Sequence, residues 1–168
     1  MNADTLLELA RAHADTAVPV DVRPAFLDAL ESLSDELEPS ERLEVYITAV
    51  GTCTFTGRTL YAQELARRGT ALAEELGDTK SVLSLLNFTG ICSSLLGDVV
   101  GGIDAFSHLQ REASETGNAQ YHMMGALNLG YMFAYLGNAA RGRTDIFQVH
   151  GLNGVDDQYF RLLPLGHR

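Results

Sequence analysis

Leu127-Asn128-Leu129-Gly130-Tyr131-Met132-Phe133-Ala134-Tyr135-Leu136-Gly137-Asn138 reads as the end of one helix and its closing turn. Forty residues earlier stands a relative, Asn87-Phe88-Thr89-Gly90-Ile91-Cys92-Ser93-Ser94-Leu95-Leu96-Gly97-Asp98. Gly90 aligns with Gly130, Gly97 with Gly137 and Asp98 with Asn138, and Gly57 lies another forty residues back. A second glycine set, Gly77-Asp78 and Gly117-Asn118, repeats at the same interval between the first. Self-similarity at a fixed period marks a helical repeat array, in which each unit is a helix, a tight turn, a second helix and another turn.

Working outward, the chain divides into units at about 1–40, 41–80, 81–120 and 121–160, with 161–168 as a tail. In the first, degenerate unit, Ala3–Thr16 carries Leu6, Leu7, Leu9 and Ala10 at helical spacing, and Asp4 sits where the helix dipole favours a carboxylate. Pro19 to Pro24 breaks that helix, and Pro24 suits the first position of a new one, since its missing N–H needs no partner there. Phe26, Leu27, Leu30, Leu33 and Leu37 form its apolar face; Asp28, Glu31, Asp35, Glu36 and Glu38 form the opposite, solvated one. Pro39-Ser40 closes it, with Ser40 expected to cap a helix over Glu41–Thr56. Gly51, Thr52, Thr54 and Thr56 weaken that helix, because glycine and β-branched residues are poor helix formers.

Further helices are expected over Thr59–Leu76, about 80–96, about 98–116 and from Gln120 to the Gly137 turn. The second helix of the last unit, about 138–150, stops early at Gly151-Leu152-Asn153-Gly154, and a short helix is expected over Val155–Leu163. The fold class is therefore all-α: a single solenoid of about four helix pairs.

Composition narrows the function classes. Apolar residues make up 46% of the 168-residue chain, enough for a folded core. The formal charge of −10 repels phosphate backbones, so nucleic acid is not an expected ligand. Residues 1–40 hold nine acids against two Arg, while 121–168 hold three against four Arg. Cys53 and Cys92 form no close pair and read as reduced core thiols of a cytoplasmic protein. Asp4 and Glu8 stand where a signal peptide would be basic. Ser81–Gly97 and Thr116–Ala140 lack Asp, Glu, Lys and Arg, but the polar residues within them, among them Asn87 and Asn128, fit helices buried in a stack rather than a membrane span.

No chemistry of catalysis is legible, and neither a cofactor nor a metal is expected. Gly97-Asp98-Val99-Val100-Gly101-Gly102 begins like a phosphate loop, but Ile103 and Asp104 stand where Lys and Ser/Thr are required. His13, His108, His122, His150 and His167 are scattered without ligand spacing, and no GxSxG elbow occurs.

The repeat resembles the tetratricopeptide repeat (TPR), in a forty-residue variety found in bacterial regulatory and scaffold proteins. That pattern places a Leu-Gly pair in the first helix, a Gly-Asp or Gly-Asn turn, then a small residue five positions on and an aromatic nine positions on. Leu129-Gly130 match the pair, and Thr89-Gly90 match at the glycine. Gly97-Asp98 and Gly137-Asn138 match the turn, with Gly57-Arg58 a partial match. Ala62, Gly102 and Gly142 are the small residues; Phe106 is the aromatic, replaced by Ala66 and Ile146 elsewhere. The resemblance covers about residues 41–150, and 1–40 by register alone.

What the resemblance implies is a right-handed superhelix that binds a protein or peptide in a concave groove lined by the first helix of each unit. In this sequence the lining falls on Glu44, Ile47, Gly51, Thr54 and Phe55, then Ser84, Asn87, Ile91, Ser94 and Leu95, then Met124, Leu127, Tyr131, Ala134 and Tyr135. Some family members hold a terminal carboxylate with Lys, Arg and Asn at the middle positions; here only Asn87 survives, so that use is not expected. Tyr131 and Tyr135 are the anchor candidates, since aromatic side chains give much contact for little entropy, and Asn87 and Asn128 can hydrogen-bond an extended backbone. A Met and Tyr stripe at helical spacing fits a core equally well. Two alternatives stand beside the interaction module: a sensory or regulatory unit answering to a peptide or small molecule, and a self-associating structural unit (a homo-oligomer through the groove or the C-terminal segment).

Overall fold

The computed structural model describes residues 1–137. Over these residues the chain is all-α, with helices α1 (Ala3–Ala12), α2 (Arg23–Leu33), α3 (Pro39–Phe55), α4 (Thr59–Leu76), α5 (Thr79–Leu95), α6 (Val99–Glu115) and α7 (Ala119–Tyr135), and a 3-10 turn at Ser34–Glu36 after α2. The expected helices at about 138–150 and 155–163, with Gly142 and Ile146, lie outside the described residues.

The turns set the repeat. Gly57, Gly77, Gly97, Gly117 and Gly137 all have positive φ, between 67° and 80°, the left-handed conformation that glycine adopts without a Cβ clash. At Gly97 the next amide, Asp98 N–H, donates to Ser93 O at 2.9 Å, and Gly97 N–H donates to Ser94 O at 3.2 Å. The same two bonds recur around Gly77 and Gly117, so each helix end satisfies its free carbonyls in a Schellman motif. The side chains of Asp78, Asp98 and Asn118 then accept from Ser81, Gly101 and Tyr121 N–H, capping α5, α6 and α7.

Neighbouring helices from α3 to α7 pack pairwise along the chain, and the odd-numbered helices also touch one another, α1 on α3, α3 on α5 and α5 on α7. No comparable packing joins α4 to α6. The odd helices thus form one continuous layer with α4 and α6 set outside it. Small residues make the crossings close: a Cβ on Gly90 would lie 2.5 Å from the Phe106 ring, and one on Gly102 would lie 3.2 Å from Met132 Cε. Ala62, Ala66 and Phe106 are buried.

The first unit departs from the expected boundaries. α1 stops at Ala12 rather than Thr16, and the following segment is tied down instead. Val18 N–H donates to Thr52 Oγ1 at 3.1 Å, and the Arg23 guanidinium donates twice to Val18 O. Thr48 Oγ1 donates to Ala10 O at the end of α1. Ser40 is not a cap: Pro39 already occupies the first turn of α3, where its fixed φ suits the helix. The threonines do not break α3. Thr54 and Thr56 bond back to Val50 O and Thr52 O, and Thr52 is the buried acceptor for α1's trailing segment. The expected weak point is a polar seam between the first two units.

Candidate interaction surface

The expected groove residues separate into three groups. Exposed at the ends of the odd helices are Phe55 and Leu95, and on α7 Tyr131 at 49% and Tyr135 at 86%. Phe55 meets Phe88 of α5 edge to face, with ring centroids 6.3 Å apart. Half-buried are Ile47, Gly51, Ser84, Ile91, Ser94, Met124, Leu127, Asn128 and Ala134, with Ile47 and Ile91 packed on the core. Buried are Thr54, at 4%, and Asn87, at 6%. Thr54 is therefore not presented to a groove: its hydroxyl donates to Val50 O at 2.8 Å and lies 3.5 Å from Cys92 Sγ. Glu44 is exposed but engaged, accepting from Arg11 Nε at 2.7 Å and Nη2 at 3.1 Å. That bidentate bond lowers the Glu44 carboxyl and raises the Arg11 guanidinium, so the pair clamps α1 to α3.

Asn87 and Asn128 find each other. Asn128 Nδ2 donates to Asn87 Oδ1 at 2.8 Å, joining α5 to α7 across forty-one positions of chain. The bond leaves Asn87 Nδ2 as a donor and Asn128 Oδ1 as an acceptor, each without a partner among the described residues. Neither atom is sealed from solvent. Turning both amides over would exchange their roles and still leave one donor and one acceptor. That pair of free groups matches what one peptide unit offers.

No protein-family model matches this chain, and neither a characterised protein nor a solved structure matches it.

The other reactive groups are structural. Cys53 and Cys92 are buried, and burial pushes the Cys53 thiol up to about 11 and raises Cys92. Neutral buried thiols are poor nucleophiles. Glu64 is held down at about 2 by hydrogen bonds from Arg67 and Arg68 on the surface of α4. Among the described residues no group of His, Cys, Asp and Glu is placed to hold a metal. None of the described helices is long and apolar enough to cross a membrane.

Sequence reading placed Phe55, Leu95 and Tyr135 in the groove but did not single out Leu60, Leu96, Val100 and Leu136 beside them. Phe55, Leu60, Leu95, Leu96, Val100, Tyr135 and Leu136 are all exposed around the turns at Gly57, Gly97 and Gly137. The signal was present: 55, 95 and 135 are one repeat apart, as are 60 and 100, and all five are large and apolar. Beside the first of these turns is an open cavity of about 660 Å³ between α2, the start of α4 and Leu96. Tyr61 donates to Glu31 on its wall, and burial, with that bond second, raises the phenol's pKa.

Proposed function

We propose that the chain is a TPR-like superhelix acting as a non-enzymatic interaction module, which holds an extended segment of a partner protein along its odd-helix layer. The observation that carries this reading is α7 together with α5. Tyr131 and Tyr135 stand exposed one turn apart, and the Asn87–Asn128 bridge beside them keeps one donor and one acceptor free. Aromatic anchors supply contact area, and the amides satisfy a backbone that would otherwise lose its water. The odd helices pack on one another more closely than α4 packs on α6, which supports a curved stack with the odd layer on its inner side. The surface offers few charges there, so the segment bound is mainly apolar and hydroxyl-bearing.

The test is capture from the native cell lysate, with wild type beside a Tyr131→Ala/Tyr135→Ala variant of unchanged helicity. The proposal expects a protein retained by wild type and lost by the variant. Equal retention by both chains contradicts it.

A further inference from the structure

The cavity beside the Gly57 turn combines apolar side chains with charged ones, two of which have no ion-pair partner among the described residues. Its floor is Leu27, Leu60 and Leu96, of which Leu60 is 72% exposed. α2 contributes Asp28 and Glu31, one turn apart, and the turn contributes Arg58. Glu31 is shared by Tyr61 and, at 3.5 Å, by Arg68. Asp28 and Arg58 have no ion-pair partner among the described residues.

Arg58 is also the exception to the repeat's own rule. Asp78, Asp98 and Asn118 precede the next helices and cap them through their side chains, whereas Arg58 holds the same place before α4 and makes no capping bond. A side-chain cap is absent at the turn that gives Gly57, Arg58 and Thr59 to the cavity. Exposed Val100 and Leu136 lie beside the later turns, outside the lining of the cavity itself. Schellman closure does not require these residues: the amide bonds that close the Gly97 turn run from Asp98 to Ser93 and from Gly97 to Ser94.

We infer that the cavity is a second docking site, separate from the odd-layer groove, for a segment of a partner protein in which a large apolar anchor lies between an acidic and a basic residue. The anchor covers Leu27, Leu60 and Leu96. The acid pairs with Arg58 and the base with Asp28, two exposed charges without an ion-pair partner among the described residues. An apolar floor with a few oriented polar groups, in a volume of this size, suits one such side chain and its neighbours.

The experiment selects a phage-displayed library of random twelve-residue peptides on three chains: wild type, Leu60→Asp/Leu96→Asp, and Asp28→Lys/Arg58→Asp. The substituted side chains are exposed, and circular dichroism verifies the fold of each variant. Wild type should enrich an apolar anchor flanked by an acid and a base. A synthetic peptide of that sequence should bind Leu60→Asp/Leu96→Asp at least tenfold more weakly. The charge-exchanged chain should select the opposite order of acid and base. Tyr131→Ala/Tyr135→Ala should bind the peptide as wild type does, whatever becomes of the groove proposal.

Enrichment that ignores Leu60 and Leu96 overturns the inference, as does a charge order that fails to reverse. Loss of peptide binding in the Tyr131→Ala/Tyr135→Ala variant would make this surface part of the groove and overturn its independence. A concentration-dependent mass in sedimentation that disappears in Leu60→Asp/Leu96→Asp would make the occupant a second copy, which also overturns it.

Discussion

The two edges of the helix stack are built by the same backbone and dressed in opposite ways. At one edge, the turns at Gly57 and Gly97 are flanked by exposed Phe55, Leu60, Leu95, Leu96 and Val100. At the other, the turns at Gly77 and Gly117 are flanked by Glu74, Glu75, Lys80, Ser114, Glu115 and Gln120, with Leu76 as the lone large apolar exception. Both edges use a left-handed glycine and paired carbonyl closures. Backbone geometry is therefore not what makes the first edge apolar. Exposed apolar side chains repeated from turn to turn are what the proposed contact surface requires.

The largest expected effect concerns what the edges share. Phe106→Ala removes the ring that fills the space beside Gly90 and should cost about 3–5 kcal/mol in urea unfolding. Gly90→Ala should cost about 1–3 kcal/mol in the wild-type chain through overpacking, and much less in the Phe106→Ala background. Additive losses would show that the two positions do not meet. Next, Gly77→Ala and Gly97→Ala should each lose about 1–2 kcal/mol, because both put a Cβ at positive φ. Unequal losses at the two edges would break the claim of a common backbone.

Capping separates the edges. Asp78→Ala should lose about 1 kcal/mol, whereas Arg58→Asp should gain roughly 0.5–1 kcal/mol by supplying a cap that α4 lacks. A destabilising Arg58→Asp would show that Arg58 serves the fold. Leu95→Ser/Leu96→Ser should change stability by only about 0.5 kcal/mol per site, since both side chains are exposed. A large loss there would make the strip part of the core.

The smallest effect is in pH. The folded Glu44 carboxyl is lowered by Arg11, so its contribution is present above the unfolded carboxyl pKa and is lost as pH falls through the acid range. Glu44→Gln should flatten that acid limb of the stability profile slightly, because the pair is largely exposed. An unchanged limb would remove the clamp between α1 and α3.

The helices α4 to α7 were legible because their ends are marked by chemistry that works locally: a glycine that can take positive φ, then Asp or Asn to cap the next helix. The all-α class followed from the same period. The first unit was less legible because its limits are set by long-range bonds, Val18 to Thr52 and Thr48 to Ala10, that no local propensity contains. Of the candidate surface, Tyr131 and Tyr135 are exposed as an anchor requires, while Thr54 turned inward to its own helix. Asn87 and Asn128 read as separate backbone binders, yet α5 and α7 lie close enough for one amide to satisfy the other. Periodicity says that a position recurs. Which neighbour covers it depends on the stack.

Hydrogen–deuterium exchange of the chain, free and bound to the protein recovered by capture, tests the central claim most directly. The account predicts added protection in α5 and α7 near Asn87, Asn128 and Tyr131, with the turns at Gly77 and Gly117 unchanged. Protection centred on those two turns, or on the outer faces of α4 and α6, would contradict it.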